Sequence, residues 1–191
     1  MEILDVLKGR RSIRSFRPDP VPDSLLAVLF EAVRWAPSGG NIQPWEIVVI
    51  RDEGRKRAVR ETLGENNPAW RAVLEAPVLL VLCGRMGVPA EYKGKVQTKF
   101  GDAWLLFHLG AAAQNLCLAA HALGLGTLMT GFFDHDRVRD LLEVPQGYEV
   151  VLLVPVGYPA KVPRPPVRRA VEDFVHFERF RDKAEANGSQ N

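Results

Sequence analysis

Apolar positions recur in this chain at two periods, and the switches between them mark out its elements. Ile3, Leu4, Val6 and Leu7 share one face of a short helix. After Val21 and Pro22, the series Leu25, Leu26, Val28, Leu29, Ala32, Val33, Ala36 predicts a second helix. Asp23 or Ser24 is its expected N-cap and Pro37 its stop. Residues 46–50 read as a strand, 53–63 as a charged surface helix, and 77–83 as a second, buried strand. Residues 87–98 are polar and mixed and read as an excursion or lid. The longest apolar pattern covers 102–125 almost all round, which predicts a buried central helix. Its length would allow a membrane span, but His108, Gln114, Asn115 and His121 interrupt it and no second such span follows. A short strand at 127–130, a helix capped by Asp134 and running to 142, and a third buried strand at 150–156 come next. Beyond an extended, Pro-rich 160–166 lie Phe174, Phe177 and Phe180 at three-residue spacing. The pattern predicts one α+β domain over 1–183, its sheet buried between helices, and a disordered tail at 184–191.

Composition narrows this reading. With 191 residues, 47% of them hydrophobic, the chain can bury a sizeable core in one domain. A formal net charge of only +2 argues against nucleic acid as a partner. Cys83 and Cys117 lie in apolar runs without CxxC spacing and read as buried, reduced thiols. Together with an acidic, amphipathic start that does not read as a signal peptide, they predict a cytoplasmic protein. His108, His121, His135 and His176 lack metal-ligand spacing, so no metal is expected.

Against that near-neutral background, one cluster of charge stands out. Arg10, Arg11, Arg14 and Arg17 are interleaved with Ser12 and Ser15 and with apolar Ile13 and Phe16. Guanidinium forks bind phosphate oxygens bidentately and hydroxyls add donors, so this is chemistry for a phosphate monoester. The interleaved apolar residues suggest a strand-like segment anchored in the fold. The alternative is charge that complements the C-terminus of the first helix. About twenty residues later, Pro37, Ser38, Gly39, Gly40, Asn41, Ile42 and Gln43 form a Gly-rich turn with two side-chain amides, suited to a flat heteroaromatic ring edge. The same turn could be a plain helix stop, with Gln43 extended because it precedes Pro44. A phosphate at one end and a polar-edged ring at the other describe a mononucleotide-like cofactor, FMN above all. Thr130 and Gly131 lie between a strand and a capped helix, where backbone N–H groups can reach a ligand or merely connect the elements. Cys117 and His121 sit one turn apart and read as structural. No Gly-x-Gly-x-x-Gly, Walker loop or Gly-x-Ser-x-Gly elbow is present.

Taken in order, four segments resemble the FMN-dependent nitroreductase family over nearly the whole chain: residues 10–16 (RRSIRSF), 36–45 (APSGGNIQPW), 112–127 and 156–159 (VGYP). The resemblance implies a homodimeric α+β fold with a central mixed or antiparallel sheet, and FMN at the subunit interface. It assigns Arg10, Arg11, Ser12 and Arg14 to the phosphate and ribityl chain. Pro37, Ser38, Gly39, Asn41 and Gln43 would line the ring, contributed by the partner chain. Thr130 and Gly131 would offer backbone donors near N5 and O4, and Arg168, or its neighbour Arg169, would meet the phosphate. Where many members carry a lysine or asparagine for the pyrimidine edge, this chain offers only Arg71. The implied activity is reduction of nitroaromatic, quinone or related small electrophilic acceptors. NADH or NADPH would dock transiently over the flavin in a ping-pong cycle, with no obligatory side-chain acid or base and no membrane or nucleic-acid partner. Alternatives are a reductive dehalogenase or flavin-processing activity on the same scaffold, for which Glu91, Tyr92 and Lys93 offer a lid, a flavin-binding protein without turnover, and a nucleic-acid module using the arginine arm.

Overall fold

In the computed structural model, which describes residues 2–87, 91–92, 95–96 and 99–180, the elements run in chain order. They are α1 (Ile3–Gly9), α2 (Asp23–Arg34), β1 (Trp45–Ile50), α3 (Glu53–Arg60), α4 (Trp70–Glu75), β2 (Val78–Arg85), β3 (Glu91–Tyr92), β4 (Lys95–Val96), α5 (Trp104–Ala122), β5 (Gly126–Thr127), α6 (His135–Leu141) and β6 (Tyr148–Gly157). Strands β1, β2, β6 and β5 form one sheet in that order, every neighbouring pair antiparallel. This is the α+β architecture expected from the sequence.

Strand β2 shows how the sequence sorts the core. Successive side chains of a strand point to opposite faces. Leu79, Val81 and Cys83 accordingly join one layer with Val59 of α3, Ala72 and Val73 of α4 and Val138 of α6. Val78, Leu80 and Leu82 join the other, with Leu26, Leu29 and Val33 of α2 and Ala112, Ala113, Leu116 and Ala120 of α5. Both faces are sealed, so β2 reads as a continuous apolar run. Each of its leucines contributes roughly 1.5–3 kcal/mol by leaving water. The pairing of β2 with β6 slips by one residue: Leu82 faces Leu152 but Cys83 faces Val150, leaving Val151 over. That bulge keeps Val150 in the same layer as Cys83.

Helix α5 is the central helix, but its burial is one-sided. Leu105, His108, Leu109, Ala112, Ala113, Leu116, Cys117 and Ala120 are buried, at the spacing of a single helix face. Leu106 and Phe107 on the other side are exposed. The stretch from Gly101 to Ala122 is long and apolar enough to cross a membrane, yet its buried face is packed on α2 and β2.

Other boundaries differ from the sequence reading for identifiable reasons. Asp23 and Ser24 lie inside α2; the extended Pro22 holds the N-cap position, and Asp23 pairs with Arg51 instead. Asp134 does cap α6, accepting the Arg137 N–H at 3.0 Å. The strand expected at 127–130 is only Gly126–Thr127, followed by a single bridge from Thr130 to Leu153. Helix α4 lies between residues 63 and 77, where the sequence reading assigns no element. Of residues 87–98 only Gly87, β3 and β4 fall within the described residues, and the tail expected at 184–191 lies outside them.

Candidate functional site

The arginine arm is fixed to the sheet by its apolar residues. Ser12 bridges Thr127 in parallel register, and the Ile13 N–H donates to the Thr127 carbonyl at 2.9 Å. Phe16 bridges Pro159. Two glycines facing each other across β5 and β6, Gly126 and Gly157, supply the room. A Cβ on Gly126 would lie 2.6 Å from Ile13 Cγ1, and one on Gly157 3.0 Å from Phe16 Cδ1. With Ile13 and Phe16 turned inward and buried, Arg10, Arg11 and Ser12 stay half-exposed and Arg14 exposed.

Arg10, Arg11 and Arg14 are not equivalent. Arg11 Nη1 donates to the carbonyls of Lys8 at 2.5 Å and Arg10 at 2.8 Å, closing the C-terminal end of α1. Arg10 and Arg14 have no carboxylate partner among the described residues, and Arg14 makes only a 3.4 Å contact to the Ser12 carbonyl. A small cavity of about 40 Å³ lies against the arm, lined by Arg10, Arg11, His121, Gly126, Thr127 and Pro159 among others. Burial, and then Arg10 and Arg11, hold His121 below the usual imidazole range, while burial raises the Cys117 thiol, as expected of structural residues.

The Gly-rich turn sits at the other end of α5. The Gly39 N–H donates to His108 Nε2 at 3.0 Å, and the Gln43 N–H donates to Ser38 Oγ at 3.0 Å. Gly40, Asn41 and Gln43 have φ of 58°, 56° and 44°. Gln43 is therefore left-handed where its position before Pro44 predicts an extended backbone. The Ser38 hydroxyl folds the loop back on it. Pro37, Gly39, Asn41 and Gln43 are exposed and Ser38 half-exposed; Asn41 and Gln43 edge a cavity of about 250 Å³ with Arg34, Trp35 and Ala36. His108 is fully buried, its Nδ1 has no hydrogen-bond partner among the described residues, and burial lowers its affinity for a proton.

Arm and loop are not brought together within one chain. The loop meets α5 at His108 and the arm meets it at His121 beside Gly9, thirteen residues further on. At 1.5 Å per residue that is roughly 20 Å.

At the third segment, the Thr130 N–H is committed to the Leu153 carbonyl at 3.0 Å. Among the described residues the N–H groups of Gly131 and Phe132 have no partner, so the free donors lie one residue beyond the expected pair. The Thr130 carbonyl accepts from the Leu153 N–H at 3.0 Å and the Gly131 carbonyl meets His135 Nε2 at 3.0 Å, so the peptides bearing both free N–H groups are held from behind, and the Phe132 carbonyl beyond them accepts from Asn67 Nδ2 at 2.6 Å. Arg169 is engaged with the Asp173 carbonyl and lies over the Phe174 ring, whereas Arg168 is exposed and unpaired among the described residues. Arg71 is bound to Glu75 Oε1 at 2.8 Å and 3.1 Å, so the only candidate for the pyrimidine edge is already paired. Sequence reasoning passed over His108 and the Phe132 N–H. A lone imidazole in an apolar helix was the available signal for the first; the second depends on a bridge between distant strands.

The model of the nitroreductase family matches residues 7–158. The chain belongs to the nitroreductase family. It is 37% identical over 191 residues to the NADH dehydrogenase of Thermus thermophilus, covering 87% of this chain and 91% of that protein. Similarity to the FMN reductase (NAD(P)H) of Bacillus subtilis is 30% identity over 179 residues, 86% of this chain and 70% of that protein. A solved nitroreductase family protein from Clostridium novyi NT superposes with a TM-score of 0.74 at 25% identity, over 83% of this chain and 86% of that one. The matched region takes in the arm, the loop, α5 and the Thr130–Phe132 turn of this nitroreductase-family chain, and excludes Arg168.

Proposed function

We propose that this member of the nitroreductase family, an NAD(P)H-dependent flavin oxidoreductase, binds FMN and reduces nitroaromatic, quinone or related electrophilic acceptors. The observation that carries the reading is the arm. It is pinned to the sheet by Ile13 and Phe16, yet presents Arg10, Ser12 and Arg14 with no acidic partner among the described residues. Guanidinium and hydroxyl donors held in place without an acidic partner suit a phosphate monoester. The exposed Gly39 face of the loop and the N–H groups of Gly131 and Phe132, unpaired among the described residues, suit a polar ring edge. When bound, FMN supplies the redox chemistry, taking a hydride equivalent from NADH or NADPH and delivering electrons to the acceptor.

The chain's own residues hold and orient. Arg10, Ser12 and Arg14 fix the phosphate end, with Arg168 as a further cation and Arg11 tying the arm to α1. Pro37, Ser38, Gly39, Asn41 and Gln43 line the ring, and Gly131 with Phe132 aims two backbone dipoles at its edge. Thr130 supports these by its bridge to Leu153. Because arm and loop meet α5 about 20 Å apart, the loop of a second copy completes each site. A homodimer gives that arrangement and covers the exposed Leu106, Phe107, Phe174, Phe177 and Phe180. Free, buried Cys83 and Cys117, the former pushed up to about 11 by burial, agree with a cytoplasmic setting.

The purified protein should carry a flavin spectrum that bleaches anaerobically on adding NADH or NADPH. Donor and acceptor should give parallel double-reciprocal lines, because one pocket serves both. A protein that takes up no added FMN, or intersecting lines from a ternary complex, would sink this reading.

A further inference from the structure

His108 is the only fully buried imidazole among the described residues, and it stands in an otherwise apolar helix face. Its Nε2 accepts a hydrogen bond from the Gly39 N–H, so the ring is neutral with its proton on Nδ1. That Nδ1–H finds no partner among the described residues. An unmade buried hydrogen bond is a cost, and a leucine would fill the space without it. What the imidazole adds is the Nε2 lone pair.

We propose that His108 is a positioning residue for the cofactor loop: its Nε2 lone pair pins the Gly39 N–H, and with it the strained turn to Gln43, onto helix α5. The proposal rests on the reading that this loop lines FMN. Asn41 and Gln43 hold positive φ without being glycine, Gln43 directly before a proline. Such conformations persist only where surrounding contacts over-determine them. The Ser38 hydroxyl closes the loop on itself; His108 ties it to the rigid core. A Cβ on Gly39 would make ordinary van der Waals contact with Nε2 at 3.5 Å and with Trp104 Nε1 at 3.7 Å, so the ring lies against the loop.

The clamp has a built-in pH dependence. Protonation would place a second N–H at Nε2, facing the Gly39 N–H donor to donor. Burial lowers the proton affinity of His108; among the described residues no charged side chain contributes, and Trp104 and Phe107 on its own helix are uncharged. The folded ring therefore takes up a proton less readily than the unfolded one. The contribution is complete above the ordinary value of 6.5 and is lost as pH falls toward the lowered one.

Two variants separate the lone pair from packing. His108→Leu keeps the volume and removes the acceptor; His108→Gln places an amide oxygen at similar reach and does not titrate. Amide hydrogen exchange at Gly39 in flavin-free protein, and FMN affinity from pH 7 to 5, are the measurements. Leu should speed Gly39 exchange and weaken FMN binding roughly three- to tenfold, the range of one neutral hydrogen bond. Gln should restore both at pH 7 and lose less affinity with acid than the wild type, the second ionisation of the FMN phosphate at about pH 6 being common to both. Overturning results are a Leu variant with unchanged Gly39 exchange, or a Gln variant as impaired as Leu. Faster Gly39 exchange with unaltered FMN affinity would overturn both the positioning role and the assignment of this loop to FMN. Slow exchange with weakened FMN would remove only the positioning role.

Discussion

Arg10 and Arg11 are adjacent, identical in chemistry and differently employed. Arg11 spends its guanidinium on the carbonyls that end α1, whereas Arg10 and Arg14 have no carboxylate partner among the described residues. Alanine at Arg10 or Arg14 should therefore cost FMN a charge-assisted contact, about 1.5–3 kcal/mol or roughly ten- to a hundredfold in affinity. Alanine at Arg11 should act mainly through the helix end, about 0.3–1 kcal/mol of stability. Riboflavin, which lacks the phosphate, should bind all variants alike; equal losses for riboflavin and FMN in titration would remove the phosphate from the arm. The division of labour between Arg10 and Arg11 was not legible in the sequence, because it depends on where α1 stops. The same holds at Thr130, whose N–H looks available until Leu153, from a distant strand, takes it. Residue type was legible; the partners that use up a donor were not.

At the scale of elements, the glycines of β5 and of the following turn make opposite predictions. Gly126→Ala puts a methyl 2.6 Å from Ile13 Cγ1, so the arm must lift or the strand must shift. Overpacking of this kind costs about 1–3 kcal/mol, which for a chain of this size lowers Tm by several degrees. At Gly131 a Cβ meets nothing nearer than 3.8 Å. Gly131→Ala should fold normally and lower only the FMN affinity and the rate of reduction by NAD(P)H. Thermal unfolding beside flavin titration tests both, and an unaltered Tm for Gly126→Ala would show that the arm is not seated on that glycine. The long apolar runs of β2, β6 and α5 were readable because burial on two faces, or along a whole stripe, leaves an unbroken signature. Helix α4 was not, since six residues after a proline carry too little periodicity to separate a helix from a connection. The bulge at Val151 was also hidden: it exists only as a mismatch between two strands, and it lies beside Gly131, whose would-be Cβ is 3.8 Å from the Val151 carbonyl.

At the scale of the whole molecule, α5 explains why one reading of the sequence was half right. An all-round apolar helix predicts all-round burial. Here the fold supplies neighbours for one face and leaves Leu106 and Phe107 on the other uncovered. In the proposed homodimer the missing half of the prediction falls to a second chain, which no pattern within the first can display. The distance along α5 between His108 and His121 then has a genetic consequence. In the proposed dimer, and at an FMN concentration that loads the wild type but neither variant, a chain impaired in its arm and a chain impaired in its loop are each inactive when kept separate. Mixed and allowed to exchange partners, they form hybrids in which one site inherits both lesions and the other inherits neither. With random exchange about half of all dimers are hybrids, so mixing Arg10→Ala with a loop variant should restore about a quarter of the wild-type sites. Activity that stays at the level of the separate variants after exchange would mean that each chain builds its site alone.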